Sequence, residues 1–104
     1  STMVENKQEI ASRIRHLEPQ LRTHGVERLS LFGSFVRGDQ GRESDVDLLV
    51  QFVPGQKTYD NFSAVGDLLQ QSLQRRVELL TLESLSPFIG PRILLEAEDV
   101  VFAD

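Results

Sequence analysis

Asp45 and Asp47 stand two residues apart where an apolar run, Leu48-Leu49-Val50, begins. In an extended strand, residues i and i+2 leave the same face, so both carboxylates stand together at the mouth of that strand, beside a polar loop. Two parallel carboxylates there form an oxygen clamp for a divalent cation. Ionised at the mouth of a buried strand, they repel each other when no cation lies between them. Most Asp-x-Asp pairs are exposed surface acids, and the pair alone does not decide between the two readings. Upstream, Gly33-Ser34 ends a preceding strand and opens a short helical turn, where backbone N–H groups and the Ser34 hydroxyl can face a phosphate. An ordinary strand-to-helix turn uses the same dipeptide. The segment lacks the Gly-Lys-Ser/Thr ending of a P-loop, which excludes that class of phosphate site.

The composition narrows the chemistry further. The chain has no cysteine, so a disulfide framework, a thiolate zinc site and a thiol nucleophile are excluded, and a metal must be held by oxygen or imidazole. That favours hard cations such as Mg²⁺. His16 and His24 are eight apart with no ligand midway, so they form no helix-face metal pair and are read as surface or capping residues. Eleven Lys and Arg against sixteen Asp and Glu give a net charge of −5, which opposes non-specific binding to nucleic acid. No eighteen-residue apolar run occurs and no apolar leader is visible, so a soluble, cytoplasmic protein without a membrane segment is expected. Met3 is the lone methionine and is expected to be the native start.

With 104 residues and 39% hydrophobic content, residues 1–104 are expected to form one domain with its own core. Ile10, Ile14, Leu17 and Leu21 lie on one helical stripe within residues 4–24, stopped by His24-Gly25, with a kink or restart expected at Pro19. Val26 to Phe32 alternates as a strand. A helical turn at Phe35 to Arg37 and a polar loop from Gly38 to Glu43 lead to a second strand, Asp45 to Phe52, closed by Pro54-Gly55. Phe62, Val65, Leu69 and either Ser72 or Leu73 place a helix within about Thr58 to Gln74, and Val77 to Thr81 reads as a third strand. Pro87 is expected in the first turn of a last helix carrying Ile89, Ile93 and Ala97 inward, followed by a short strand over Val100 to Phe102. Arg75, Arg76 and Lys57 read as solvated ends, Asp67 and Glu96 to Asp99 as exposed faces, and Tyr59 as a core or interface anchor. The order predicts an α/β or α+β domain with helices packed on a small mixed sheet.

Taken jointly, the features are more specific than any one alone. A strand, Gly33-Ser34, two residues, Arg37-Gly38, a five-residue loop and then Ser44-Asp45-Val46-Asp47 resemble the nucleotidyltransferases of the DNA polymerase β superfamily. The chain looks most like their minimal branch, the MNT proteins (MntA-like antitoxins) paired with HEPN toxins. The specific core of the resemblance covers residues 29–50. It implies the polymerase β-like fold, with Gly33 and Ser34 on the β- and γ-phosphates of ATP and Ser44 beside the nucleotide. Arg37 would brace the loop against an acid or touch phosphate. Asp45 and Asp47 would bridge two Mg²⁺ ions, and Glu78 would stand where the family carries a third carboxylate, usually Asp. The extra methylene of Glu78 either reaches a more distant ion or misplaces it; Glu78 also reads as a sheet-edge acid paired with Arg75 or Arg76.

The resemblance further implies transfer of AMP from ATP to a hydroxyl, plausibly a tyrosine, of a cognate HEPN toxin, the action of a type VII-like antitoxin. One rival is a catalytically weak nucleotide-binding module that neutralises or scaffolds its partner by contact. A second is nucleotidylation of a small molecule, against which the lack of an acceptor-binding domain counts.

Overall fold

The computed structural model of the protein describes residues 2–101. Helix α1 (Lys7–Thr23) starts at Asn6, whose side chain accepts the Glu9 N–H at 2.9 Å, satisfying one of the donors a helix start leaves free. Ile10, Ile14 and Leu21 are fully buried along its inner stripe. The helix runs through Pro19 without a break in its assignment, so neither a restart nor a new first turn occurs there. Burial of Ile14 and Leu21 on either side of the proline offsets the one backbone bond it removes. His24 caps the end, and Gly25, at φ +85°, turns the chain into the sheet.

Strands β1 (Val26–Phe32), β2 (Val46–Phe52), β3 (Val77–Thr81) and β4 (Glu98–Val101) form one sheet in the order β3-β2-β1-β4. β1 is antiparallel to both β2 and β4, and β2 is parallel to β3. Helix α3 (Tyr59–Leu73) makes the crossover that a parallel pair requires. It is capped by Thr58, whose hydroxyl accepts the Asn61 N–H at 3.1 Å. Alternation along the strands splits the core in two. Val46, Leu48 and Val50 of β2 pack with Leu29, Leu31 and the inner stripes of α1 and α3, whereas Leu49 packs with Phe32 and Ile93 on the opposite face. That second, thinner layer is covered by α4 (Gly90–Glu96).

Several boundaries differ from the sequence expectation. Asp45 precedes β2 rather than opening it, because the ladder starts where Val46 donates to the Arg76 carbonyl at 2.9 Å. The last helix begins at Gly90, with Pro91 in its first turn; Pro87 lies in the turn before it. Of the three residues expected inward, Ile93 is buried and Ala97 packs on it, but Ile89 is 55% exposed. The last strand starts two residues early, at Glu98, drawn in by pairing of Glu98 and Asp99 with Leu31 and Ser30; Phe102 lies outside the described residues. Tyr59 is 83% exposed. Burial along α3 fades from Leu69 and Val65 through half-buried Phe62 to its first residue, so Tyr59 is no core anchor. No helix among the described residues is long and apolar enough to cross a membrane.

Candidate functional site

Asp47 is at the centre of the sheet, at its end. Its backbone pairs with Phe32 on one side and with Glu78 on the other. Adjacent in-register strands run about 4.8 Å apart, so the Asp47 and Glu78 side chains stand next to each other on the face covered by α4. Both line a cleft of about 640 Å³, together with Gly33, Arg37 and the α4 residues Arg92, Ile93 and Glu96. Asp45 lies just outside that lining, two residues before Asp47, and still bears on it electrostatically. Burial pushes the Asp47 carboxyl up to about 6, with further upward contributions from Glu78 and then Asp45, against an opposing pull from Arg37. Asp47 and Glu78, with Asp45 further out, thus share one end of the sheet. Among the described residues, no three acidic or imidazole groups are gathered closely enough to hold an ion by themselves.

The turn above these acids is built on Gly33 as the N-cap of a single helical turn, α2 (Ser34–Arg37). Gly33 has φ +81° and ψ −154°, a region essentially restricted to glycine. A Cβ there would collide with the Asp47 carboxylate. Gly33 therefore lets the turn lie directly on Asp47, and Ser34 begins the turn beside it. The Ser34 hydroxyl makes no hydrogen bond to the described residues.

Arg37 pairs with acids and braces the loop, as expected: its guanidinium donates to Glu96 at 2.8 Å and to Asp39 at 3.3 Å. Of the implied nucleotide contacts, Gly33 and Arg37 line the cleft, whereas Ser34 and Ser44 are not part of its wall. The Ser44 hydroxyl accepts the Gly41 N–H at 2.8 Å, closing the loop before Asp45. Arg76 approaches Asp45 at 3.9 Å, and Arg75 engages backbone carbonyls, so neither forms a pair with Glu78 among the described residues. Glu78 is an exposed acid with its side chain in the cleft.

Two residues read as ordinary surface charges are in fact parts of the site's support. Arg75 donates to the carbonyls of Val4, Gly41, Arg42 and Ser44 at 2.8–3.1 Å, and its guanidinium lies 5.0 Å from the centre of the Phe35 ring. It ties the loop that carries Asp45 to the N-terminal segment at buried Val4 and to α2. Glu96 accepts the Gly33 N–H at 2.6 Å on one oxygen and the Arg37 guanidinium on the other. Both hydrogen bonds, Gly33 first, hold its carboxyl below the usual range. A signal for Glu96 existed in the helix phase: it is three residues after Ile93, on the same inner face.

Known proteins resemble this chain in sequence and in fold. The sequence profile described as Nucleotidyltransferase domain matches residues 8–100. The chain belongs to the nucleotidyltransferase domain family. A Methanocaldococcus jannaschii protein, whose name proposes protein adenylyltransferase activity, is 40% identical over 87 residues, covering 84% of this chain and 92% of its own. A solved structure of a proposed minimal nucleotidyltransferase superposes with TM-score 0.78 at 29% identity, covering 90% of this chain and 95% of that one. A chain in the complex of MNT antitoxin with tri-AMPylated Shewanella oneidensis HEPN toxin shares the fold, with TM-score 0.63 at 17% identity, covering 90% of this chain and 73% of that one. In this structure the glycine turn follows β1, Asp45 stands just before β2 and Asp47 is the second residue of β2.

Proposed function

We propose that this nucleotidyltransferase transfers AMP from ATP to a tyrosine hydroxyl of a cognate HEPN toxin and thereby acts as a type VII-like antitoxin. The observation that carries the reading is the juxtaposition of Asp47 and Glu78 on the cleft floor, directly beneath the Gly33-Ser34 turn. The names of the 40%-identical relative and of the AMPylated toxin complex support the choice of AMP and of a protein acceptor. Large apolar side chains at the cleft's edge also support a protein partner: Ile89 lines the cleft at 55% exposure, and Phe88 beside it is 89% exposed.

The residues present fit Mg²⁺. Asp47 and Glu78 are in-register neighbours on adjacent strands, and neighbouring carboxylates are the hard oxygen donors that a small divalent cation takes. Mg²⁺ is ordinarily held by one or two carboxylates plus substrate phosphates rather than by an all-protein cage, so the lack of a three-ligand cluster suits it. Asp45, Asp47 and Glu78 would hold two ions together with the triphosphate. Bound there, Mg²⁺ lowers the pKa of the acceptor hydroxyl and offsets charge on the leaving pyrophosphate.

The chain's own residues supply the rest. The Gly33-Ser34 turn and Arg37 seat the triphosphate over Asp47. The acceptor oxygen attacks the α-phosphorus as the bond to the β-phosphate oxygen breaks; pyrophosphate leaves, and the hydroxyl proton passes to a carboxylate of the Asp47–Glu78 pair. Such chemistry depends mainly on placement and charge neutralisation, with no covalent enzyme intermediate.

Incubating the protein with labelled ATP, Mg²⁺ and a cognate HEPN-type protein is expected to label that partner. Asp47→Asn should lower the labelling by at least about a hundredfold. The contact-only rival is favoured by Glu78, which stands where the resemblance implies an Asp and carries one more methylene. Neutralisation of the partner that survives Asp47→Asn unchanged, with no label at any stage, would establish that rival instead.

A further inference from the structure

Glu96 ends α4, a place that does not favour it for the helix's own sake, since an acid at a helix C-terminus opposes the helix dipole. It also adds to the negative charge felt by Asp47. Its side chain is nonetheless drawn down to 23% exposure and divided between two partners, the Gly33 amide 63 residues away and the Arg37 guanidinium 59 residues away. The delivery is a consequence of topology. β4 begins two residues after Glu96 and pairs antiparallel with the end of β1, with Glu98 opposite Leu31, so docking of the last strand brings the carboxylate to the turn that follows Phe32.

Each bond has a consequence for the turn. Gly33 occupies a backbone region of low intrinsic population, and among the described residues Glu96 is the partner of the N–H of this buried residue. Arg37 is 53% exposed and long enough to sample many rotamers; a charge-assisted bond at 2.8 Å selects one in which it lines the cleft. The two bonds share one rigid carboxylate, so the position of the turn and the position of the guanidinium are set relative to each other.

We infer that Glu96 is a positioning residue for the nucleotide site, holding the Gly33 amide and Arg37 in the mutual arrangement in which the turn and the guanidinium meet a triphosphate. The inference rests on the nucleotide reading of the cleft proposed above. The Gly33 N–H is committed to Glu96, which leaves the Ser34 hydroxyl and the free edge of Arg37 for phosphate.

The test is binding of ATP with Mg²⁺ by calorimetry, well below the melting temperature of each variant, together with hydrogen exchange of the Gly33 amide by NMR. Glu96→Ala is expected to weaken ATP binding about tenfold, the effect of losing one charge-assisted contact, and to speed Gly33 exchange. Glu96→Gln keeps one acceptor oxygen for the Gly33 N–H, so it should retain slow exchange and recover part of the affinity. Unchanged ATP affinity in Glu96→Ala, with only a lower melting temperature, would reduce Glu96 to a structural tie and overturn the inference. Tighter binding would overturn it too, by making Glu96 a competitor for the phosphate donors. Should Glu96→Ala not fold, Glu96→Gln decides: affinity about threefold weaker than wild type supports positioning, and equal or tighter affinity sinks it. A wild-type chain that binds no ATP defeats the proposed function and the inference with it, a pattern distinct from wild-type binding that the Glu96 variants leave intact.

Discussion

Replacing Asp47 by asparagine removes one charge from the cleft floor while keeping the side chain's shape, which isolates the cost of holding that carboxylate ionised. In the unfolded chain the group titrates near 3.8, and in the folded chain near 6. At neutral pH the difference corresponds to about 3 kcal/mol against the folded, ionised form. Asp47 is only partly buried, so solvent screening reduces this to about 1–2 kcal/mol. The sign follows from proton binding. Between pH 4 and 6 the folded protein holds more protons at this site than the unfolded chain, so stability declines as pH rises through that window, and the penalty is complete above it.

Asp47→Asn should therefore melt about 4–8 °C higher than wild type at pH 7.5 in EDTA, the shift that about 1 kcal/mol produces in a domain of this size. The gain should shrink as pH is lowered and become small near pH 4, where the carboxyl is protonated in the folded state and about half protonated in the unfolded one. Thermal unfolding followed by circular dichroism at pH 4, 5, 6 and 7.5 measures it directly. A variant that is less stable than wild type at pH 7.5, or a difference that does not change with pH, would refute the claim that Asp47 is held ionised at a cost.

Two further substitutions probe the frame around the acids. Gly33→Ala places a methyl group against the Asp47 carboxylate and forces a side chain into a glycine-only backbone region, so urea unfolding should show a loss of at least about 2 kcal/mol, with transfer activity abolished. Arg75→Ala strips charge-assisted bonds from the carbonyls of Val4, Gly41, Arg42 and Ser44. A loss of about 2–3 kcal/mol and faster proteolysis within residues 38–44 are expected, and Arg75→Lys should recover little, because an ammonium cannot span carbonyls that a planar guanidinium reaches together. Proteolysis at the wild-type rate in Arg75→Ala would show that the loop is held by other means.

What could be read from the sequence was local. Alternation set the core strands of the sheet to within a residue because each strand's side chains face a buried layer on at least one side: Val46, Leu48 and Val50 face α1 and α3, and Leu49 faces α4. The Asp45 and Asp47 pair and the glycine turn were visible because their chemistry is written within about fifteen residues. Pro87 misled because a proline marks a permitted helix start without requiring one; Pro91, four residues on, serves that role. Arg75 and Glu96 were hidden for a different reason. Their partners lie 31–71 and 59–63 residues away, and a charged side chain at the end of a helix looks the same in sequence whether it meets water or a buried amide.

That division has a physical basis in how the site is assembled. The acids and the glycine turn come from one antiparallel pair, β1 and β2, joined by a loop that carries Ser44 and Asp45. Such a pair alone would leave the loop untethered, the Gly33 amide without a partner and two like charges side by side. The later half of the chain supplies the remedy: Arg75 at the end of α3 holds the loop, Glu78 on β3 completes the row of acids, and Glu96 at the end of α4 fixes the turn and Arg37. Each enters only once its element has docked on the sheet, so the geometry of the cleft is a property of the finished fold rather than of the motif. The strain at Asp47, set by burial first and by Glu78 and Asp45 next, is not relieved by folding, and a bound cation would relieve it.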